Sequence, residues 1–134
     1  MRLLRGSVPL VLDEYDYKFE LGKAKMLREG DDVLIISSGI MTMRPTIKPE
    51  DEQAIDAAVR YKHRLVVVAE NHSVIGGLGE SVASTLLRHK VQPAGFQMAG
   101  LPDEFLDAGA LPTLHDRYGI SRDVLAVRIK GWLR

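Results

Sequence analysis

The residues whose types suit chemistry lie in one stretch, Glu70-Asn71-His72, followed by Ser73-Val74-Ile75 and the glycine-rich turn Gly76-Gly77-Leu78-Gly79. A carboxylate and an imidazole in one loop can shuttle a proton. A glycine turn that opens a helix presents backbone N–H groups to an anion. Each feature also has a plainer use. No nucleophile or third orienting group accompanies Glu70 and His72, which favours a hydrogen-bonded loop at a subunit interface. Gly77 and Gly79 match two glycines of a dinucleotide fingerprint, but Val82 stands where the third would be, and no Lys-Ser/Thr follows as a P-loop requires. Tight turning and close helix–strand packing are the commoner service of such glycines. The turn nevertheless follows a parallel strand at its carboxyl end, where α/β proteins bind ligands, so a small-anion or nucleotide site stays open.

Other candidates are weaker. His63, His89 and His115 have no second histidine three or four residues away, so metal-ligand spacing is absent, and helix ends or the surface suit them. Ser37-Ser38-Gly39 is not a G-x-S-x-G nucleophile turn. Trp132 reads as core, and the scattered aromatics do not interleave with basic residues as a single-strand-binding surface would.

Positioning the loop falls to the elements around it. Val33-Leu34-Ile35-Ile36 and Leu65-Val66-Val67-Val68-Ala69 are apolar without alternation, the pattern of strands covered by helices on both faces. Between them a helix is predicted from Pro49 to about Tyr61, with proline in its first turn and Glu50, Asp51 and Glu52 at the positive end of its dipole. Ile55, Ala58, Val59 and Lys62 share one face of it. Strand, helix and strand in that order imply a right-handed crossover. A second helix is predicted from about Leu78 to His89, with Val82, Ala83, Leu86 and Leu87 inward and Gln92-Pro93 closing it. Ala94 to Ala99 is a third strand, and Leu101 to Ala110 a loop. A short helix spans Pro112 to Tyr118 and stops at Gly119. Ser121 caps a last helix with Leu125, Ile129, Trp132 and Leu133 on one stripe. Lys23 to Arg28 reads as a short strand or a helical turn. Residues 1 to 12, broken by Gly6 and Pro9, read as an opening strand or interdomain linker. The class is α/β, a small, mostly parallel twisted sheet flanked by helices, forming one domain over residues 1–134.

Bulk composition bounds the rest. The chain is 46% hydrophobic and 27% charged, enough apolar residue for a core without staples. With no cysteine, disulfides and thiolate metal sites are excluded. Lys+Arg equals Asp+Glu, which argues against nucleic acid and does little to oppose self-association. The longest apolar run, Leu65 to Ala69, is too short to span a bilayer, and a cytoplasmic location is expected.

Several blocks resemble the C-terminal domain of transketolases. They are Val8-Pro9 with Tyr17-Lys18-Phe19-Glu20-Leu21-Gly22-Lys23-Ala24 and Leu27-Arg28-Glu29-Gly30; Asp32 to Met41; Thr46-Ile47-Lys48-Pro49 with Asp51-Glu52 and Ala54-Ile55; and Glu70 to Gly79. The tail from Gly100 to Phe105, with Gly109 and Tyr118-Gly119-Ile120-Ser121, is similar too. The resemblance implies an enzyme that transfers a two-carbon ketol unit between sugar phosphates. It implies thiamine diphosphate and Mg²⁺, held between a pyrimidine-binding and a pyrophosphate-binding domain across a dimer interface. Neither domain is present here, so the resemblance assigns no catalytic, cofactor or metal residue to this chain. It implies a structural, dimer-supporting role, in the arrangement where the enzyme is split into two chains.

Two departures from the family pattern follow. Met1-Arg2 falls where the family chain leaves the pyrimidine domain. At Arg44–Pro45 family spacing implies that ~20 residues, a helix and a strand, are absent, more than the dozen a parallel crossover needs. Their loss should expose backbone groups and apolar surface. Two other functional readings stand beside the first: a non-catalytic dimerisation or scaffolding module, including an excised fragment, and a domain of a deoxyxylulose-phosphate synthase or of a 2-oxo acid dehydrogenase β-subunit.

Overall fold

Three strands make one parallel sheet in the order β1-β2-β3: β1 is Val33–Ser38, β2 Leu65–Ser73 and β3 Phe96–Leu101. The computed structural model describes residues 18, 20, 22–38, 51–60 and 64–134. The expectations for residues 1–12, the Arg44–Pro45 junction, the Pro49 helix start, Lys62 and His63 lie outside the described residues. β1 and β2 pair from Val33 with Leu65 to Ser38 with Glu70. β2 and β3 pair from Val66 with Phe96, and their register shifts between Ala69 and Ser73.

Helices α1, Glu52–Arg60, and α2, Leu78–Arg88, make the two crossovers. Ile55 and Val59 of α1 are buried, as are Leu78, Val82, Thr85 and Leu86 of α2. They pack with Leu34, Val66 and Val68 into a core on one face of the sheet. Because strand side chains alternate, Leu65, Val67, Ala69 and Ala99 point the other way. There they meet Leu125 of the last helix α4, Arg122–Trp132, with Ile129, Trp132 and Leu133 packed alongside. Helix α3, Leu111–Arg117, precedes α4. Gly119, at φ 70°, turns the corner between them. There the His115 carbonyl accepts the N–H groups of Ile120 and Ser121 at 2.9 and 3.0 Å.

Four expectations need correction. Lys23 to Arg28 forms neither strand nor helix; its residues are exposed except for one intermediate, so among the described residues nothing supplies a ladder partner or a buried face. Leu87 is 80% exposed, because the buried stripe of α2 runs through positions 78, 82, 85 and 86, and residue 87 lies a further 100° or so around the helix. Ser121 occupies the N-cap of α4, but its hydroxyl makes no cap bond and is buried without a partner. Among the described residues β1 is not covered on both faces: Ile35 is 52% exposed. Among the described residues, no helix is long and apolar enough to cross a membrane.

Candidate functional site

β2 carries the candidate loop out of the sheet. Val66, Val68 and Glu70 share a strand face, and that face is the one α2 covers. Glu70 is therefore delivered under the N-terminus of α2, where the first turn's N–H groups lack partners within the helix. Its carboxylate fills the position. Glu70 Oε2 accepts the N–H of Leu78 at 2.7 Å, and Oε1 accepts that of Gly79 at 3.0 Å. The side chain is 2% exposed, so both bonds are charge-assisted and shielded from water. The favourable end of the helix dipole adds to them.

The glycines make room for this contact. A Cβ on Gly77 would stand 2.5 Å from Glu70 Oε1 and 2.6 Å from the Ser73 carbonyl. A Cβ on Gly79 would stand 2.7 Å from Met98 Cγ of β3, which closes helix against sheet. Gly76 serves a different need: it sits at φ 69° in open space, where the turn requires a left-handed residue.

The rest of the loop is bonded to itself and to β3. Ser73 Oγ accepts from the Ile75 N–H at 3.2 Å, and Glu80 Oε2 from the Gly76 N–H at 2.9 Å. The Val74 N–H donates to the Leu101 carbonyl at 3.0 Å. His72 Nδ1 lies 3.0 Å from the carbonyl oxygen of Ser73. Asn71 is partly buried beside it. Glu70, Asn71 and His72 thus lie in the last, irregular stretch of β2 and not in the loop expected from the sequence, and Glu70 and His72 each engage backbone. Ile75, at the tip, is 55% exposed.

Of the other described histidines, His89 sits at a helix end and His115 on α3 near the last corner. His89, at the C-terminus of α2, contacts Asp56 through Nδ1 and Glu52 Oε2 through Nε2 at 3.2 Å. Arg88 Nη2 reaches Glu52 Oε1 at 2.7 Å, so α1 and α2 are joined by a small ionic cluster. His115 on α3 has its Nε2 buried without a partner, and desolvation pushes its pKa down against the opposing pull of Asp116. No group of three or more metal-binding side chains exists among the described residues.

Comparison with known families agrees with this geometry. Residues 43–125 match the family model for the transketolase C-terminal domain. The chain belongs to the transketolase C-terminal domain family. A solved structure described as a split-gene transketolase in an inactive β4 tetramer superposes with a TM-score of 0.81 at 30% identity, over 96% of this chain and 48% of that one. The transketolase family protein y4mN of Sinorhizobium fredii is 60% identical over 99% of this chain and 44% of its own length. A 6-deoxy-6-sulfo-D-fructose transketolase subunit of Clostridium sp. strain MSTE9 is 35% identical, over 90% of this chain and 42% of its own length. A 1-deoxy-D-xylulose-5-phosphate synthase of Desulforudis audaxviator is 31% identical, but this chain spans only 23% of it. This transketolase C-terminal domain therefore spans less than half the length of the relatives it matches.

Sequence reasoning saw the loop but missed the partner of Glu70. The signal was available in the strand period: residue 70 follows 66 and 68 on one face, and the glycine turn returns a helix over that face.

Proposed function

We propose that this chain is the C-terminal domain of a split transketolase and that its role there is structural. The full enzyme uses thiamine diphosphate and Mg²⁺ to move a two-carbon ketol unit between sugar phosphates. The pyrimidine-binding and pyrophosphate-binding domains, outside this chain, carry that chemistry. This domain supports subunit association in a cytoplasmic homo-oligomer. The turn presents Ile75, its exposed apolar tip, to neighbouring protein, while Glu70, Gly77 and Gly79 hold it from within.

One observation carries the reading. The helix N-terminus that could have taken a diphosphate is already occupied by the buried carboxylate of Glu70. The described residues do not fit thiamine diphosphate or its metal, and no step of the reaction is assigned to them. Identity of 60% to a transketolase family protein and 35% to a transketolase subunit, against 31% to the synthase, favours the split transketolase over the synthase reading.

Calorimetric titration of thiamine diphosphate with Mg²⁺ into the purified chain tests this. No saturable heat is expected. Stoichiometric binding would overturn the division of labour between this domain and the other two.

A further inference from the structure

Helix α1 depends on its neighbours. It is nine residues long, shorter than helices that persist on their own, so packing and side-chain bonds must hold it. Ile55 and Val59 are its buried residues. Its start is tied by Asp51, whose Oδ1 accepts the Ala54 N–H and whose Oδ2 accepts the Ala24 N–H, each at 3.1 Å. Among the described residues, the other side-chain bonds of α1 to the rest of the chain run to Arg88 and His89, at the C-terminal end of α2.

His89 turns both ring nitrogens toward carboxylates of α1. Nδ1 meets Asp56 Oδ2, and Nε2 lies 3.2 Å from Glu52 Oε2. A carboxylate accepts and cannot donate, so the two bonds together need a proton on each nitrogen. The ring that satisfies this geometry is the imidazolium. A neutral ring keeps one N–H and turns a lone pair on the other carboxylate.

The surroundings decide which bond is lost. The Asp56 side chain is 18% exposed and its Oδ1 is buried without a partner, so losing the Nδ1–H would strand both of its oxygens. Glu52 is 43% exposed, and Arg88 Nη2 holds its Oε1 at 2.7 Å with a charge that does not change with pH. Water and Arg88 therefore still serve Glu52 when His89 lets go. Arg60 Nη2 reaches the His89 carbonyl, at 3.4 Å, and not the ring.

We propose that His89 is a proton-operated latch between α1 and α2. With a proton on each nitrogen it bridges Glu52 and Asp56 and holds α1 against α2. When the Nε2 proton passes to solvent, the ring keeps Asp56, releases Glu52 and frees the first turn of α1. The latch loosens as pH rises. His115 shifts global stability the opposite way, so the test reads α1 locally.

Amide hydrogen exchange on the full chain gives that local reading. Opening of Ile55 to Val59, corrected for the intrinsic pH dependence of exchange, is referred to Val66 to Val68 of β2. From about pH 5.5 to about pH 8, either side of the ordinary histidine value of about 6.5, relative opening should rise about threefold in the wild-type chain, the scale of a partly exposed ion pair. In His89→Gln it should stay level. Nitrogen-15 spectra of the wild-type imidazole should place the remaining proton on Nδ1 at about pH 8. These spectra serve if His89→Gln fails to fold. A remaining proton on Nε2, wild-type opening that ignores pH, or an equal rise in His89→Gln each overturns the latch.

Discussion

Glu70 Oε2 accepts the backbone N–H of Leu78 at 2.7 Å, eight residues along the chain and at the opposite end of the glycine turn. A buried carboxylate on a strand thereby caps the following helix from below, and its second oxygen takes the N–H of Gly79. Removing it leaves two buried donors without partners. Glu70→Ala is expected to cost about 2–6 kcal/mol, roughly 1–3 kcal/mol for each buried donor left unpaired. Glu70→Gln keeps one acceptor and should cost less. Urea unfolding of the three proteins measures both.

The glycines of the turn should separate into two kinds. Gly77 is confined by space, since an added methyl meets the Ser73 backbone oxygen at 2.6 Å. Gly76 is confined by its φ of 69° with nothing near it. Gly76→Ala should cost about 1–2 kcal/mol, the penalty for a left-handed residue with a Cβ. Gly77→Ala should cost more, and Gly79→Ala should fall below Gly77→Ala, because the flexible Met98 side chain can yield. Thermal unfolding of the three variants gives the order.

His115 predicts a pH dependence. Burial lowers its pKa in the folded protein, so the unfolded chain takes up the proton first as pH falls. Its contribution is complete above the ordinary histidine pKa of about 6.5 and is lost as pH falls toward the depressed folded value. His115→Gln should flatten the fall in urea midpoint between about pH 7 and pH 5. An unchanged slope would assign the dependence to other groups.

Lys90 ends α2 in the left-handed conformation, at φ 56°, with the Val91 N–H donating to the Leu86 carbonyl at 2.8 Å. Glycine suits this helix-terminating position better than any residue with a Cβ. Lys90→Gly is expected to stabilise the protein by about 0.5–1 kcal/mol, visible as a raised Tm.

The fold was legible where burial dictates composition. Val33–Ile36 and Leu65–Ala69 read as parallel strands because both faces of a parallel sheet select apolar residues. The stripe of Leu125, Ile129 and Trp132 was legible from its helical period. Glu70 was not, because its partners are backbone amides, which carry no sequence signature. Beside His72 it has the look of a proton relay, and only the direction of β2 shows that it points at α2. The Ser121 hydroxyl misled for a related reason: residue type indicates a cap, but the tight corner set by Gly119 decides where the side chain goes. Ile35 reads as covered, and its exposure follows from what packs against β1, which no single strand reports.

The claim that the chain's helix N-terminus is sealed from within is tested most directly by following the amide resonances of Leu78 and Gly79 during titration with inorganic diphosphate. Their signals should stay unmoved in the wild-type chain and shift in Glu70→Ala, where the site is opened. Saturable shifts at both amides in the wild-type chain would contradict the account and make the glycine turn an anion site.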